Sequence, residues 1–141
     1  MQALSAAAKK GLGDPALAEL VIIRASQLNH CAFCLDMHLK LARRQGIDED
    51  RIQLLNAWEE TGELYSEREM AALALTEAVT VLTGSTSRTK SGAGVPDEVY
   101  ERAAKHFDEG QLAHLIGLIT VINGWNRLMV SRRIPAGSTQ W

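Results

Sequence analysis

Asp14-Pro15-Ala16-Leu17-Ala18-Glu19-Leu20-Val21-Ile22-Ile23-Arg24-Ala25-Ser26-Gln27-Leu28 is the stretch on which the fold class turns. Val21-Ile22-Ile23 taken alone is compatible with a buried strand. Its flanks, Ala16 to Glu19 and Ala25 to Leu28, carry the run beyond strand length and favour a helix. Asp14 has the chemistry of an N-cap, and Pro15 falls at the first helical position, where its missing amide costs nothing. Gly11-Leu12-Gly13 reads with Asp14-Pro15 as a loop before this helix.

Working outward, Asn29 reads as a break or cap that opens a second helix from about His30 to Gln45, with Gly46 as its C-terminal stop. Asp48 can cap a short third helix through Trp58, and Thr61-Gly62 marks a turn. Ser66-Glu67-Arg68-Glu69 has the spacing of a capping box and predicts a helix to about Leu82. Gly84 to Gly94 (GSTSRTKSGAG) is low in complexity and reads as a loop without a phosphate-cradling pattern. Pro96-Asp97-Glu98 starts a fifth helix to about Phe107. Asp108 and Gln111 cap a long sixth helix to about Val130, and the tail after Pro135 reads as loose. No segment alternates with period two over a useful length, so the expectation is an all-α fold of about six helices.

Composition narrows the classes. The chain has 141 residues, 46% of them hydrophobic and 23% charged, ordinary values for a globular protein. A single domain over residues 1–141, with its core at about 14–133, is expected. The formal charge of -2 argues against nucleic acid or an anionic membrane surface as the main partner. No apolar run approaches the roughly 18–20 residues of a membrane span. Met1-Gln2-Ala3-Leu4-Ser5 lacks the basic start and apolar run of a secretory signal, so a cytoplasmic location is expected.

In that setting the two cysteines stand out, because both lie in one CxxC, Cys31-Ala32-Phe33-Cys34, with His38 one turn later and Glu19 before it. On a helix Cys31 and Cys34 share a face at i, i+3, and Cys34 and His38 share it at i, i+4. A thiolate, not a thiol, attacks a disulfide or a peroxide, so a working site must lower a thiol pKa or supply a base. A helix starting near His30 would bring its unpaired amides and positive end close to Cys31. His38 is placed to take a proton from Cys34, and Glu19 can orient the imidazole if the two helices pack as a hairpin. The neighbouring cysteine of the pair then resolves a sulfenic acid or mixed disulfide into an intramolecular disulfide.

Other readings stay open. The two cysteines can be small buried apolar residues, or Cys31, Cys34 and His38, with His30 as a fourth, can ligate zinc. Structural zinc sites usually bring a second ligand pair from elsewhere in the chain, and no second CxxC or HxxxH exists here. A non-catalytic redox sensor using the same pair is the further alternative. Asp36 reads as a solvated helix residue, and His106 and His114 as surface or cap residues. Trp58, Trp125 and Trp141 read as packing or interface residues. Asn123 and Asn126, about one turn apart among apolar neighbours, either hydrogen-bond within the bundle or line a pocket near the cysteines.

The run from Glu19 through Arg24-Ala25-Ser26-Gln27-Leu28-Asn29-His30-Cys31-Ala32-Phe33-Cys34-Leu35-Asp36-Met37-His38 to Ala42-Arg43-Arg44-Gln45-Gly46 resembles the core of the alkylhydroperoxidase D-like proteins. These belong to the carboxymuconolactone decarboxylase-like superfamily. Ser66–Thr80, Val95-Pro96-Asp97-Glu98 and Ile122-Asn123-Gly124-Trp125-Asn126-Arg127 add to the likeness, which spans about Asp14 to Arg133. It implies an all-helical subunit that assembles into trimers or hexamers, with a thiol peroxidase or disulfide reductase site. Carried over residue by residue, Cys34 is the peroxidatic thiol, Cys31 the resolving one, and Glu19 and His38 the proton relay. The helix-dipole argument alone favours Cys31 instead. The implied substrate is a hydroperoxide and the implied electron donor an external dithiol such as a dihydrolipoyl group, with no bound cofactor or metal. Phe33 stands where the family has a histidine directly before the second cysteine, and here a histidine precedes the pair, at His30. The decarboxylase branch lacks the cysteine pair, so its lactone chemistry is not implied.

Overall fold

The computed structural model describes residues 1–82 and 94–140 and is helical throughout, with no strand among the described residues. Seven α-helices run in order: α1 (Gln2–Leu12), α2 (Pro15–Leu28), α3 (Ala32–Arg44), α4 (Glu49–Gln53), α5 (Glu67–Thr80), α6 (Asp97–Ala104) and α7 (Glu109–Ser131). A 3₁₀ helix, Leu55–Glu60, follows α4. The all-α expectation holds, and the caps act as the sequence chemistry requires. Asp14 accepts from the Leu17 amide at 3.0 Å, and complete capping boxes open α5 at Ser66/Glu69 and α7 at Asp108/Gln111.

Two departures account for the count of about six. Gly11 and Leu12 belong to α1, an Ala-rich helix without a side-chain N-cap, rather than to a loop. The stretch expected as one helix from Asp48 through Trp58 divides at Leu54 (φ −93°, ψ 5°), where α4 gives way to the 3₁₀ helix, and Ala57 within the latter leaves helical geometry (φ −121°, ψ 29°). Helix α3 also begins later than His30. His30 adopts φ 53°, the left-handed region that a non-glycine residue enters at a cost, and Cys31 becomes the N-cap. The expected loop at 84–94 lies, except for Gly94, outside the described residues, as does Trp141.

Helix α2 runs through the middle of the bundle, packed against α1, α3, α5 and α7. That position explains its sequence, for every residue from Leu17 to Ile23 is buried, together with Ala25 and Ser26. A helix enclosed on all sides needs apolar residues all round, not a stripe. One side, with Leu17, Val21 and Ile22, joins a core made with α1, α5 and α7. The other, with Leu20 and Ile23, packs on Leu55, Trp58 and Leu73. Each fully buried Leu or Ile contributes about 1.5–3 kcal/mol, so this helix anchors the positions of its few polar residues.

Helix α1 lies on α7 at close range. A Cβ on Gly11 would fall 2.1 Å from Cδ2 of His114, so only glycine allows this approach without moving the ring. At the other end of the chain Ile134 packs against the cluster of Cys31, Phe33, Cys34 and Met129. Beyond Pro135, the Gly137 amide donates to Asp36 Oδ2 at 3.1 Å. The tail is thus tied to α3 rather than loose, and Asp36 is its anchor as well as a partner of Lys40.

Candidate functional site

The tight reversal between α2 and α3 builds the site. The Asn29 amide donates to Ala25 O at 3.0 Å, His30 to Gln27 O at 3.2 Å and Cys31 to Ser26 O at 3.0 Å. These bonds end α2 and set Cys31 at the start of α3, where its Sγ accepts from the Cys34 amide at 3.3 Å. Cys31 and Cys34 are joined in a disulfide, with Cα atoms 5.4 Å apart. The pair is therefore brought together by an N-cap turn and not by two positions on one helix face. Both cysteines are buried.

A polar network behind the turn holds it to α7. Asn29 Nδ2 donates to Asn123 Oδ1 and to Asn126 Oδ1, each at 2.9 Å. Asn126 Nδ2 donates to Ser26 Oγ at 3.0 Å, and Asn123 Nδ2 to Thr80 Oγ1 at 3.0 Å. Of the two roles open to these asparagines, the bundle role is the one found. They support the CxxC turn from behind, and neither lines the cavity beside it.

Glu19 and His38 meet across the α2–α3 hairpin, with His38 Nδ1 2.7 Å from Glu19 Oε2. A carboxylate only accepts, so Nδ1 carries the proton, and in the neutral ring Nε2 is left as the basic atom. Glu19 is 1% exposed, and its second oxygen, Oε1, accepts from Lys9 Nζ at 2.6 Å. Burial pushes the Glu19 carboxyl upward, but the partnership with His38 and then with Lys9 outweighs it, and the group lies below its ordinary value of 4.5. Lys9 was not foreseen from sequence. It sits in an Ala-rich stretch with no motif around it, and only the packing of α1 brings it to Glu19.

A cavity of about 350 Å³ opens beside these groups, formed by α1, α2, α3 and α7. Cys34, His38 and Lys9 line it, Cys31 does not, and Phe33, Ile122, Trp125 and Met129 supply much of the apolar wall. Phe33 thus serves as wall where the resembled family has a histidine. His30 is exposed and lies away from this cavity. Among the described residues no group of three or more His, Cys, Asp and Glu side chains is arranged to hold a metal ion. No helix among them is long and apolar enough to cross a membrane.

Fold and site together define a helical protein whose disulfide-bonded CxxC is set at a helix N-terminus beside a Glu–His pair. The chain belongs to the carboxymuconolactone decarboxylase family, which residues 1–78 match, and is alkylhydroperoxidase D-like within it. It is 44% identical over 120 residues to the uncharacterized protein YdfG of Bacillus subtilis, across 85% of this chain and 76% of that one. It is 32% identical over 124 residues to the uncharacterized protein YnjA of Escherichia coli, across 87% of this chain, and spans 62% of that relative's length. A crystal structure from Agrobacterium tumefaciens superposes with a TM-score of 0.86 at 32% identity, covering 97% of this chain and 88% of that one. That protein is of unknown function and a candidate antioxidant defence protein AhpD.

Proposed function

We propose that this protein is a thiol-dependent peroxidase that reduces organic hydroperoxides with the Cys31–Cys34 pair. The observation that carries the reading is that Cys34 shares its cavity with His38, while Cys31 stands outside it as a helix cap. This favours Cys34 as the attacking thiol over the assignment that the helix dipole alone would make. The antioxidant role considered for the Agrobacterium protein points the same way.

In the proposed cycle an external dithiol, for which a dihydrolipoyl group has the right chemistry, first reduces the Cys31–Cys34 disulfide and is itself oxidised to a disulfide. His38, oriented by Glu19, accepts the Cys34 proton. The Cys34 thiolate attacks the terminal peroxide oxygen and the O–O bond breaks. The leaving alkoxide takes up the proton, giving an alcohol and a Cys34 sulfenic acid. Cys31 attacks the sulfenic sulfur, water leaves, and the disulfide returns. The sum is one hydroperoxide and one dithiol converted to alcohol, water and disulfide. Assembly into a homotrimer or hexamer and a cytoplasmic location belong to the same proposal.

The test is reduction of a small organic hydroperoxide by purified protein recycled with dihydrolipoamide, with thiols counted in parallel. Turnover, with two thiols lost per oxidised chain and regained on reduction, supports the cycle. Reversible disulfide formation without turnover overturns the peroxidase reading in favour of a redox sensor.

A further inference from the structure

We propose that Lys9 is a positioning residue of the Glu19–His38 relay. Its ammonium occupies Glu19 Oε1 and balances the carboxylate, which leaves the His38 imidazole neutral and able to accept the Cys34 proton. The inference rests on the reading of Cys34 as the attacking thiol.

The geometry is a three-membered chain. Lys9 Nζ is 2.6 Å from Glu19 Oε1, and His38 Nδ1 is 2.7 Å from Glu19 Oε2. A carboxylate as buried as Glu19 requires a counter-charge. Either Lys9 provides it or a second proton on His38 does, and the two have opposite consequences. With Lys9 in place the ion pair is neutral, and the imidazole needs to supply only its Nδ1 hydrogen. Without Lys9 the carboxylate draws a proton onto the ring, and Nε2 can no longer accept one from a thiol.

Among the described residues no other charge is placed to compensate. Across the cavity, α7 presents Leu118, Ile122, Trp125 and Met129, none of which titrates. The other α1 residues on the cavity are Gln2, Ser5 and Ala6. On the far side of α2, Glu77 of α5 is held by Arg24 and Trp58, and Asp14 by Arg68 of α5. On α3, Asp36 pairs with Lys40. Burial, His38 and Lys9 are the influences acting on Glu19. Because Lys9 belongs to α1, the arrangement also makes the relay depend on the docking of α1 against α7.

The experiment compares reduced wild type, Lys9→Met and Lys9→Arg in two ways. One is the pH dependence of kcat/KM for a small organic hydroperoxide. The other is the rate of Cys34 alkylation by iodoacetamide, with mass spectrometry separating it from Cys31. Lys9→Met is expected to move the acidic limb of both profiles up by about one pH unit, and Lys9→Arg to restore it. A nearby like charge disfavours protonation of the imidazole, and because the Lys9 side chain is 32% exposed its removal is expected to move the limb by no more than about one unit. Should Lys9→Met not fold, Lys9→Gln carries the same expectation. An alkylation profile unmoved along the pH axis, even if uniformly slower, overturns the proposal. If wild type fails to turn over hydroperoxide but the alkylation profile still shifts, the role of Lys9 stands and the peroxidase reading falls.

Discussion

Glu19 and His38 lie 19 residues apart in the chain, yet share a 2.7 Å hydrogen bond in a buried setting. The reversal at Asn29–Cys31 makes this possible by folding α3 back along α2, so one helix supplies the carboxylate and the next the imidazole. The bond ties stability to pH as well as orienting a base.

The folded-state pKa of Glu19 lies below its ordinary 4.5, so the stabilisation is complete above that value. It is lost as pH falls through the folded pKa, because there the unfolded chain binds the proton first. Glu19→Gln is expected to cost roughly 2 kcal/mol at neutral pH, since it removes the carboxylate's charge and replaces one of the two oxygens that accept from His38 and Lys9 with an amide donor. It is also expected to flatten the acid slope. Urea unfolding of both proteins from about pH 3 to about pH 7 reads both effects, and parallel slopes would count against the assignment.

Exchange of each cysteine separates their roles. Cys34→Ser is expected to abolish hydroperoxide turnover, whereas Cys31→Ser is expected to consume one equivalent and stop at a Cys34 sulfenic acid. A sulfenic-acid probe followed by mass spectrometry locates the modified residue. Unchanged peroxide consumption by Cys34→Ser would remove the mechanism.

Asn126 is fully buried and bonds both Ser26 and Asn29. Asn126→Ala strips a partner from each, at an expected cost of about 2–3 kcal/mol. A melting temperature within a degree or so of wild type would show that the network behind the CxxC turn contributes little.

Ser66 closes its capping box through bonds of 2.8 Å and 3.1 Å with Glu69. Ser66→Ala is expected to destabilise the protein by about 1 kcal/mol. Since no residue of α5 lines the cavity and Ser66 lies at the end of that helix opposite Thr80, kcat/KM should be unchanged. Loss of activity without loss of stability would contradict that separation.

Much of the fold was legible because its signals are local. Asp14-Pro15, Ser66/Glu69 and Asp108/Gln111 satisfy their own helix ends, so spacing alone placed three helix starts. Helix α1 carries no such signal, since its register depends on Gly11 meeting His114 and on Ala8 and Leu12 entering a core formed by distant residues. The docking of the tail through Gly137 to Asp36 is likewise a long-range contact that no neighbouring residue announces.

The same division applies to the site. Sequence by itself determined the helical class and nominated Glu19, Cys31, Cys34 and His38 as the candidate group, because residue type, spacing and a family likeness can all be read along the chain. Tertiary structure alone decided that Cys31 caps a helix while Cys34 meets the cavity, that Phe33 is wall, and that Lys9 completes the carboxylate's partners. Those outcomes depend on how α1, α3 and α7 pack around α2. Such packing sums many weak contacts between residues far apart in the chain, none of which is written in any single stretch of it.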